Sequence, residues 1–164
     1  MWGSCFKPGS RLLLTGYSNV DSASSIEDCK SIGGYIVYFG CNLVSWQSKK
    51  QGVVARSNTE SEYRALAQVA SEITWLNSLL SQLQFPFPHR PAVWCDNMSA
   101  TALARNPVFH AWTKHIEIDI HYIWDQVLKG SLFVYNVSSH DQIADCFTKS
   151  LSLSFLLSEE QTWS

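Results

Sequence analysis

Acidic and amide side chains stand at the ends of the elements that the sequence predicts, and such side chains bind divalent cations. Asn19 and Asp21 end the first strand, and Asp96 follows a buried strand. Glu62 and Asp145 lie in early helical turns. In open α/β sheets, ligands bind beyond the carboxyl ends of strands. Carboxylates that converge there repel one another unless cations lie between them. The pattern predicts in-line phosphoryl displacement with two divalent ions about 3.5–4 Å apart.

Each of these residues also has an ordinary structural role on local grounds. Asp96 is equally well placed as the N-cap of a helical segment that begins at Asn97. Asp145 fits a solvated helical position, and it lies one helical turn from Asp141, so both could share one face. Glu62 is predicted in the first turn of its helix, where the helix dipole keeps a carboxylate ionised. Spacing alone leaves the metal site and the structural roles open.

The elements that must position these side chains predict an α/β fold with a mixed five-stranded sheet. Ser57 and Glu60 have the spacing of a capping box at the start of the longest helix, which runs to about Leu83. Strands are predicted at 11–20, 32–39, 43–48, 92–95 and 132–137. Further helices are predicted at 98–105, 113–129 and 142–149, and a capping-box pattern at 139–142 precedes the last of them. A hairpin followed by strand–helix units favours a sheet covered by helices.

Composition bounds the class of protein. The chain has 164 residues, of which 46% are hydrophobic and 13% aromatic, so it fits one globular domain rather than a disordered segment. Its net charge of −2 provides no general basic field, so nucleic-acid binding needs a local patch or a tethered partner. Five cysteines without a C-x-x-C pair predict reduced thiols in an intracellular protein. No apolar run approaches the ~20 residues that span a membrane, so no membrane partner is expected.

Six short blocks occur in an order typical of one family. They are Gly-Tyr-Ser-Asn-Val-Asp at 16–21, Ser-Trp-Gln-Ser-Lys-Lys-Gln at 45–51, Thr-Glu-Ser-Glu-Tyr-Arg-Ala-Leu at 59–66, Cys-Asp-Asn at 95–97, Thr-Lys-His-Ile-Glu-Ile-Asp at 113–119 and Asp-Gln-Ile-Ala-Asp-Cys-Phe-Thr-Lys at 141–149. Through these blocks the chain resembles the ribonuclease H domain of plant copia-type LTR retrotransposon Pol polyproteins. The resemblance implies a ribonuclease H-like fold with helices on both faces of the sheet. It also implies hydrolysis of RNA in an RNA–DNA hybrid with Mg²⁺ or Mn²⁺.

The resemblance also implies which residues form the active site. The family has four acidic positions, and three match this chain as Glu62, Asp96 and Asp145. The first catalytic Asp of the family is replaced by Asn19, whose amide oxygen brings no charge and bridges two cations poorly. Asp21 lies on the same side of the strand, about 6.6 Å further along, and is not expected to substitute. Metal binding is therefore expected to be weakened and hybrid cleavage to be weak or absent.

The same resemblance divides the chain and suggests its partners. The glycines and the proline within 1–10 predict an irregular lead-in, and the resemblance implies a ribonuclease H-like domain at 11–151 and a divergent tail at 152–164. The partners implied are an RNA–DNA hybrid and the reverse transcriptase that normally precedes this domain. Ser22 and Trp112 depart from the family pattern, which predicts a fragment of a degenerate element. The alternatives are a non-catalytic remnant that binds nucleic acid or protein, and an integrase-like nuclease, which the blocks at 59–66 and 141–149 disfavour.

Basic residues near these blocks are candidate phosphate contacts, although a solvated basic face explains them equally well. They are Lys49, Lys50, Arg56, Arg64, Lys114 and His115. A zinc site built from Cys95 and the nearby histidines matches no usual ligand spacing, so His110, His115 and His121 are predicted to carry no metal. His140 is predicted to be a loop residue. Packing in the core is favoured over base stacking for Trp46, Trp75 and Trp94.

Overall fold

A computed structural model describes residues 12–21, 30–85, 89–106 and 116–148, and five strands within them form one sheet. The strand order is β3-β2-β1-β4-β5. The strands are β1 (Leu14–Asp21), β2 (Ile32–Phe39), β3 (Asn42–Lys50), β4 (Ala92–Cys95) and β5 (Phe133–Asn136). The helices are α1 (Asn58–Gln82), α2 (Met98–Arg105), α3 (Glu117–Leu128) and α4 (Asp145–Thr148), and a 3₁₀ turn spans Ser139–Asp141. None of the described helices is long and apolar enough to cross a membrane.

Strand direction brings the carboxyl ends of four strands, β1, β3, β4 and β5, to one edge of the sheet. β2 runs antiparallel to both of its neighbours, β1 and β3. β4 is parallel to β1, and β5 is parallel to β4. Cys95 at the end of β4 pairs with Ser18 of β1 and with Asn136 of β5. Polar residues that follow these strands therefore gather at the same edge, as the sequence predicted for a mixed sheet.

The start of α1 is capped by its own side chains. The Ser57 hydroxyl accepts a hydrogen bond from the backbone N–H of Glu60 at 3.2 Å, which fills one of the free donors of the first turn. The Glu60 carboxylate accepts from the backbone N–H of Arg56 at 2.9 Å, one residue before the partner expected in a capping box. The predicted beginning of this helix is confirmed.

α1 packs closely against one face of the sheet because β1 has a glycine at the contact. A Cβ atom on Gly16 would lie 2.7 Å from both Val69 Cγ2 and Ile73 Cδ1. A side chain there would push the helix away. The apolar side of α1 is buried against the sheet through Tyr63, Leu66, Val69, Ala70 and Ile73. This close contact holds the second turn of α1 near the carboxyl end of β1.

α4 lies on the opposite face of the sheet. A Cβ atom on Gly34 of β2 would lie 2.9 Å from Thr148 Cγ2, so a second glycine permits a second close approach. The Ser48 hydroxyl of β3 donates a hydrogen bond to the carbonyl of Phe147 at 2.5 Å. Helices therefore cover both faces, as predicted, although α4 covers only part of its face among the described residues.

Several elements have the predicted bounds, whereas others end elsewhere. β2, β4 and α2 match the prediction residue for residue. β3 continues two residues beyond its predicted end, to Lys50. The predicted helix at 142–149 is wrong at its start, because Gln142 has extended backbone after the 3₁₀ turn and α4 begins only at Asp145. The predicted lead-in at 1–10, the tail at 152–164 and Trp112 lie outside the described residues.

Aromatic rings form a row on the face opposite α1. Trp94 stacks against Tyr17 with ring centroids 6.5 Å apart, and against Tyr135 at 5.0 Å. Val93 and Cys95, its neighbours in β4, belong to the core beneath α1, so alternation places Trp94 on the other face. The core prediction is wrong for two other tryptophans, Trp46 and Trp75, which are each 58% exposed.

Candidate functional site

The four residues that the sequence nominated lie together at the carboxyl ends of β1 and β4. Asn19 belongs to β1, Asp96 follows β4, Glu62 lies in the second turn of α1, and Asp145 begins α4. Asn19 is hydrogen-bonded to Asp145, and the carboxyl of Glu62 is influenced by the charges of Asp96 and Asp145. The site spans the edge of the sheet, with one helix on each side. The catalytic and metal-binding roles of these residues stay predictions.

The side-chain amide of Asn19 joins β1 to α4. Its Nδ2 donates hydrogen bonds to Asp145 Oδ1 and to Thr148 Oγ1, the second at 2.8 Å. Asn19 is 3% exposed and Thr148 is 4% exposed, so water competes little for these bonds. A carboxylate at position 19 would offer no donor and would add a charge like that of Asp145. We call Asn19, Asp145 and Thr148 the amide corner.

Gln142 holds the segment that leads into Asp145. Its Nε2 donates to the carbonyl of Ser18 at 2.9 Å, and its Oε1 accepts from the backbone N–H of Ala144 at 3.3 Å. Gln142 is 5% exposed and Ala144 is fully buried. The bond to β1 explains why the predicted capping box at 139–142 does not form. Asp141 is exposed in the 3₁₀ turn, so it does not share a helical face with Asp145, which their spacing had left possible.

Glu62 is buried among other acidic groups. It is 6% exposed, its carboxyl accepts a hydrogen bond from the Val20 backbone, and its Oε2 has no hydrogen-bond partner among the described residues. Burial first, then the charges of Asp96 and Asp145, raise the pKa of Glu62 to about 8, against the opposing effect of the Val20 bond. The prediction that Glu62 lies in the first turn and is kept ionised by the helix dipole is therefore wrong for the chain alone, because Glu62 lies in the second turn and burial raises its pKa.

Cys95 adds a thiol to the same place. One ligand atom each from Glu62, Cys95 and Asp96 lies within 4.8 Å of the other two. We call these three residues the acidic cluster. Cys95 is fully buried, and burial followed by the charge of Glu62 raises the pKa of its thiol to about 12. The sequence suggested Cys95 as a ligand only together with the histidines, although its position at the end of a buried strand beside Asp96 was a usable signal.

Asp96 is not the N-cap of α2. Asn97 has that role, because its Oδ1 accepts a hydrogen bond from the backbone N–H of Ala100 at 2.9 Å. The structural alternative for Asp96 is therefore wrong. The carboxylate of Asp96 is close to Glu62 and Cys95 instead.

The acidic cluster fits a divalent cation. Glu62 Oε2 is a buried acceptor without a partner in the described part of the chain, and a cation would satisfy it. Carboxylate oxygens are the ligands that Mg²⁺ and Mn²⁺ prefer, and a cation would offset the repulsion that raises the pKa of Glu62. No other group of three such side chains lies this close together within the described ranges. The predicted ligands Glu62 and Asp96 are thus compatible with metal binding, whereas Asp145 is not a member of this cluster.

The predicted phosphate contacts differ in how available they are. Lys49 and Lys50 are exposed at the end of β3. Arg64 is only 14% exposed, and its guanidinium forms an ion pair with Glu60 at 2.6 Å. Arg56 is exposed just before α1. The two remaining candidates, Lys114 and His115, lie outside the described residues.

The other titratable residues weighed from the sequence lie apart from the acidic cluster. Asp21 ends β1, is half-buried and pairs in the sheet with Ile32. His121 is exposed and lies 3.8 Å from Glu117 on the same helix. His140 is exposed in the 3₁₀ turn. No histidine of the described segments joins a group of metal-ligating side chains, and His110 lies outside those segments.

The chain is similar to segments of plant retrotransposon polyproteins. It is 49% identical over 150 residues to the retrovirus-related Pol polyprotein from transposon RE2 of Arabidopsis thaliana, and the match covers 92% of this chain and 10% of that protein. It is 40% identical over 145 residues to the corresponding polyprotein from transposon TNT 1-94 of Nicotiana tabacum, with coverage of 88% and 11%. The chain therefore spans about a tenth of the length of the curated relatives it matches. No protein-family model matches it.

Solved ribonucleases H have the same fold. The LC11 enzyme isolated from compost superposes with a TM-score of 0.61 at 14% identity, over 82% of this chain and 91% of that chain. The same enzyme in complex with an RNA/DNA hybrid gives a TM-score of 0.56 at 13% identity, over 82% and 92%. At these identities the likeness concerns the fold. The predicted mixed five-stranded sheet of the ribonuclease H kind is confirmed.

Proposed function

We propose a function for a chain that belongs to the ribonuclease H-like domains of retrotransposon Pol polyproteins. The function is recognition of an RNA–DNA hybrid, with weak or no cleavage of the RNA strand. One observation carries the proposal, namely the pair of hydrogen bonds from Asn19 to Asp145 and Thr148. Asn19 stands where the family resemblance implies a catalytic aspartate, and its amide engages a carboxylate that the same resemblance makes a metal ligand.

The chain's own residues explain why hydrolysis is impaired. Divalent ions, when bound in such a site, stabilise charge on the scissile phosphate and activate water. Glu62, Asp96 and Asp145 are the residues that would hold them. Asn19 contributes no negative charge, and its Nδ2 occupies one lone-pair direction of Asp145 Oδ1. The site therefore has fewer charged oxygen ligands than the family pattern supplies.

Hybrid recognition is supported from two directions. A solved ribonuclease H of the same fold is in complex with an RNA/DNA hybrid. Lys49 and Lys50 supply exposed positive charge, whereas the net charge of the chain is −2. With so small a basic surface, binding is expected to be weak and to fall steeply with salt. Binding that survives high salt would contradict this expectation.

A non-catalytic binding module is the second candidate, and the amide corner favours it. Asn19, Asp145 and Thr148 satisfy one another without a cation, so this half of the site is stable in a protein that performs no hydrolysis. The reverse transcriptase of the parent element is a proposed partner in either case. An intracellular location is part of the proposal, supported by the free thiol of Cys95.

The test measures cleavage of a labelled RNA–DNA hybrid by the purified chain and by Asn19→Asp, each with Mg²⁺ and with Mn²⁺. Asn19→Asp is expected to gain ion-dependent cleavage, at least about tenfold above the unmodified chain. Adding Glu62→Gln or Asp96→Asn should remove the gain. The matched control is Asp21→Asn, which changes the neighbouring acidic residue of β1 and should leave the low activity unchanged.

Two outcomes would overturn the catalytic part of the proposal. If the unmodified chain already cuts hybrid and Asp21→Asn stops it, Asp21 performs the role assigned to the replaced aspartate. If folded Asn19→Asp does not cut, the non-catalytic module is the better description. Hybrid binding by the unmodified chain, measured in parallel, separates this module from a chain that binds no nucleic acid.

A further inference from the structure

Cys95 gives the acidic cluster a donor atom of a different chemical kind from its carboxylates. Its Sγ lies within 4.8 Å of a carboxylate oxygen of Glu62 and of Asp96. The thiol is free and fully buried, at the end of β4. A second, independent feature points to a ligand here. Glu62 is only 6% exposed, and its Oε2 has no hydrogen-bond partner in the described ranges. An acceptor in that state favours a bound cation.

The ligand set favours a borderline-soft ion over Mg²⁺. Mg²⁺ demands near-octahedral oxygen coordination and does not take thiolate. Zn²⁺, Co²⁺ and Cd²⁺ accept thiolate together with carboxylate, and three protein ligands with one water is the usual form of an open zinc site. The amide corner acts in the same direction, because Asn19 is neutral and its amide engages Asp145 Oδ1, which leaves fewer oxygens for a hard cation.

We propose that Cys95 is a metal ligand and that the acidic cluster binds thiophilic divalent ions of the zinc class in preference to Mg²⁺. The proposal concerns the same site as the proposed function but does not depend on hybrid cleavage. On binding, the S–H bond of Cys95 breaks, a metal–sulfur bond forms, and the proton passes to the solvent. No oxidant or reductant is involved.

The experiment is a Co²⁺ titration of the reduced, purified chain, followed by near-ultraviolet absorption. Thiolate bound to Co²⁺ gives a charge-transfer band that carboxylate ligands do not give. The unmodified chain should develop the band at about one equivalent of Co²⁺. Zn²⁺ added in similar amount should abolish it, whereas a large excess of Mg²⁺ should not.

Two complementary variants assign the band to one sulfur. The variant Cys5→Ser/Cys29→Ser/Cys41→Ser/Cys146→Ser keeps Cys95 as its only cysteine and should retain the band. Cys95→Ser should lose the band and bind Zn²⁺ at least about tenfold more weakly, with a smaller change in Mn²⁺ affinity. Circular dichroism verifies the fold of each variant, and Cys95→Ala is the second substitution if serine disturbs the core.

The outcomes are distinguishable from those of the cleavage assay. Absence of the band in the four-serine variant while it stays folded, or a full band in Cys95→Ser, would overturn the assignment. Mg²⁺ competing as well as Zn²⁺ would overturn the preference. If Asn19→Asp cleaves hybrid with Mg²⁺ and no band forms in the unmodified chain, the proposed function stands and this inference fails. If the band forms but the chain binds no hybrid, this inference stands and the proposed function fails.

Discussion

In the amide corner, the carboxylate of Asp145 receives a hydrogen bond from a neutral side chain, whereas in the acidic cluster the carboxylate of Glu62 lies near another carboxylate and a buried thiol. Both groups occupy the same edge of the sheet. Hydrogen bonds satisfy the first, whereas the second places a buried carboxyl beside other acidic groups, which raises the pKa of Glu62. The neutral amide of Asn19 therefore satisfies Asp145 without a cation, whereas the acidic cluster is still expected to be stabilised by one.

The pH dependence of stability should show the imbalance in the acidic cluster most strongly. The pKa of Glu62 is about 8 in the folded chain, against 4.5 for the ordinary group. The folded state thus binds more protons between these values, so this contribution to stability is complete below about pH 4.5 and is lost as the pH rises to about 8. Without divalent ions, the loss should amount to roughly 5 kcal/mol.

Urea unfolding at several pH values in EDTA measures this effect. Glu62→Gln should be much less sensitive over the same range, because it carries no titrating carboxyl. The conservative control is Glu72→Gln, which changes an acid of α1 outside the cluster and should follow the unmodified chain. If Glu62→Gln keeps the full pH dependence, another group is responsible for it.

Asn19→Asp should convert the amide corner into a second region that needs cations. The substitution removes two donated hydrogen bonds and adds a charge beside Asp145. We expect a loss of roughly 3 kcal/mol in the free energy of unfolding in EDTA. Mg²⁺ or Mn²⁺ should restore much of this loss in the variant and change the unmodified chain less. Equal stabilisation of both chains by the ion would contradict the contrast between the two regions.

Gln142→Ala should weaken the amide corner without touching its members. The side chain makes two buried hydrogen bonds that hold the segment before Asp145 against β1. The expected loss of stability is roughly 2 kcal/mol. Hydrogen exchange should increase in α4 and little in the second turn of α1. Gln82→Ala, at an exposed position near the end of α1, is the matched control and should have almost no effect.

The sequence predicted the bounds of helices and strands best where a turn or capping residue stands directly at the end of the element. β2, β4 and α2 have the predicted bounds because turn residues and the Asn97 cap stand directly at their ends. The last helix was predicted to begin too early. Gln142 is held outside it by a hydrogen bond to the carbonyl of Ser18, 124 positions away, and no local pattern encodes that bond.

The sequence predicted which residues form the candidate site better than it predicted their protonation. The order of the motifs indicated that Asn19, Glu62, Asp96 and Asp145 belong together, and the structure brings them together. The raised pKa of Glu62 was missed because burial is a property of the assembled sheet and α1. The inclusion of Cys95 was missed for a geometric reason. Neighbouring residues in a strand point to opposite faces, but β4 ends at Cys95, so Asp96 is released from that alternation.

The bond between β1 and α4 also has a consequence for folding kinetics. Asn19 and Asp145 are separated by 126 positions, so their contact is among the most non-local in the chain. Such contacts require closure of a long loop and form slowly compared with helices and hairpins. The hairpin of β1 and β2 can form while the chain is still being synthesised, but the amide corner requires residues near position 148. A nascent or truncated chain that ends before α4 therefore has the acidic cluster without the corner that borders it.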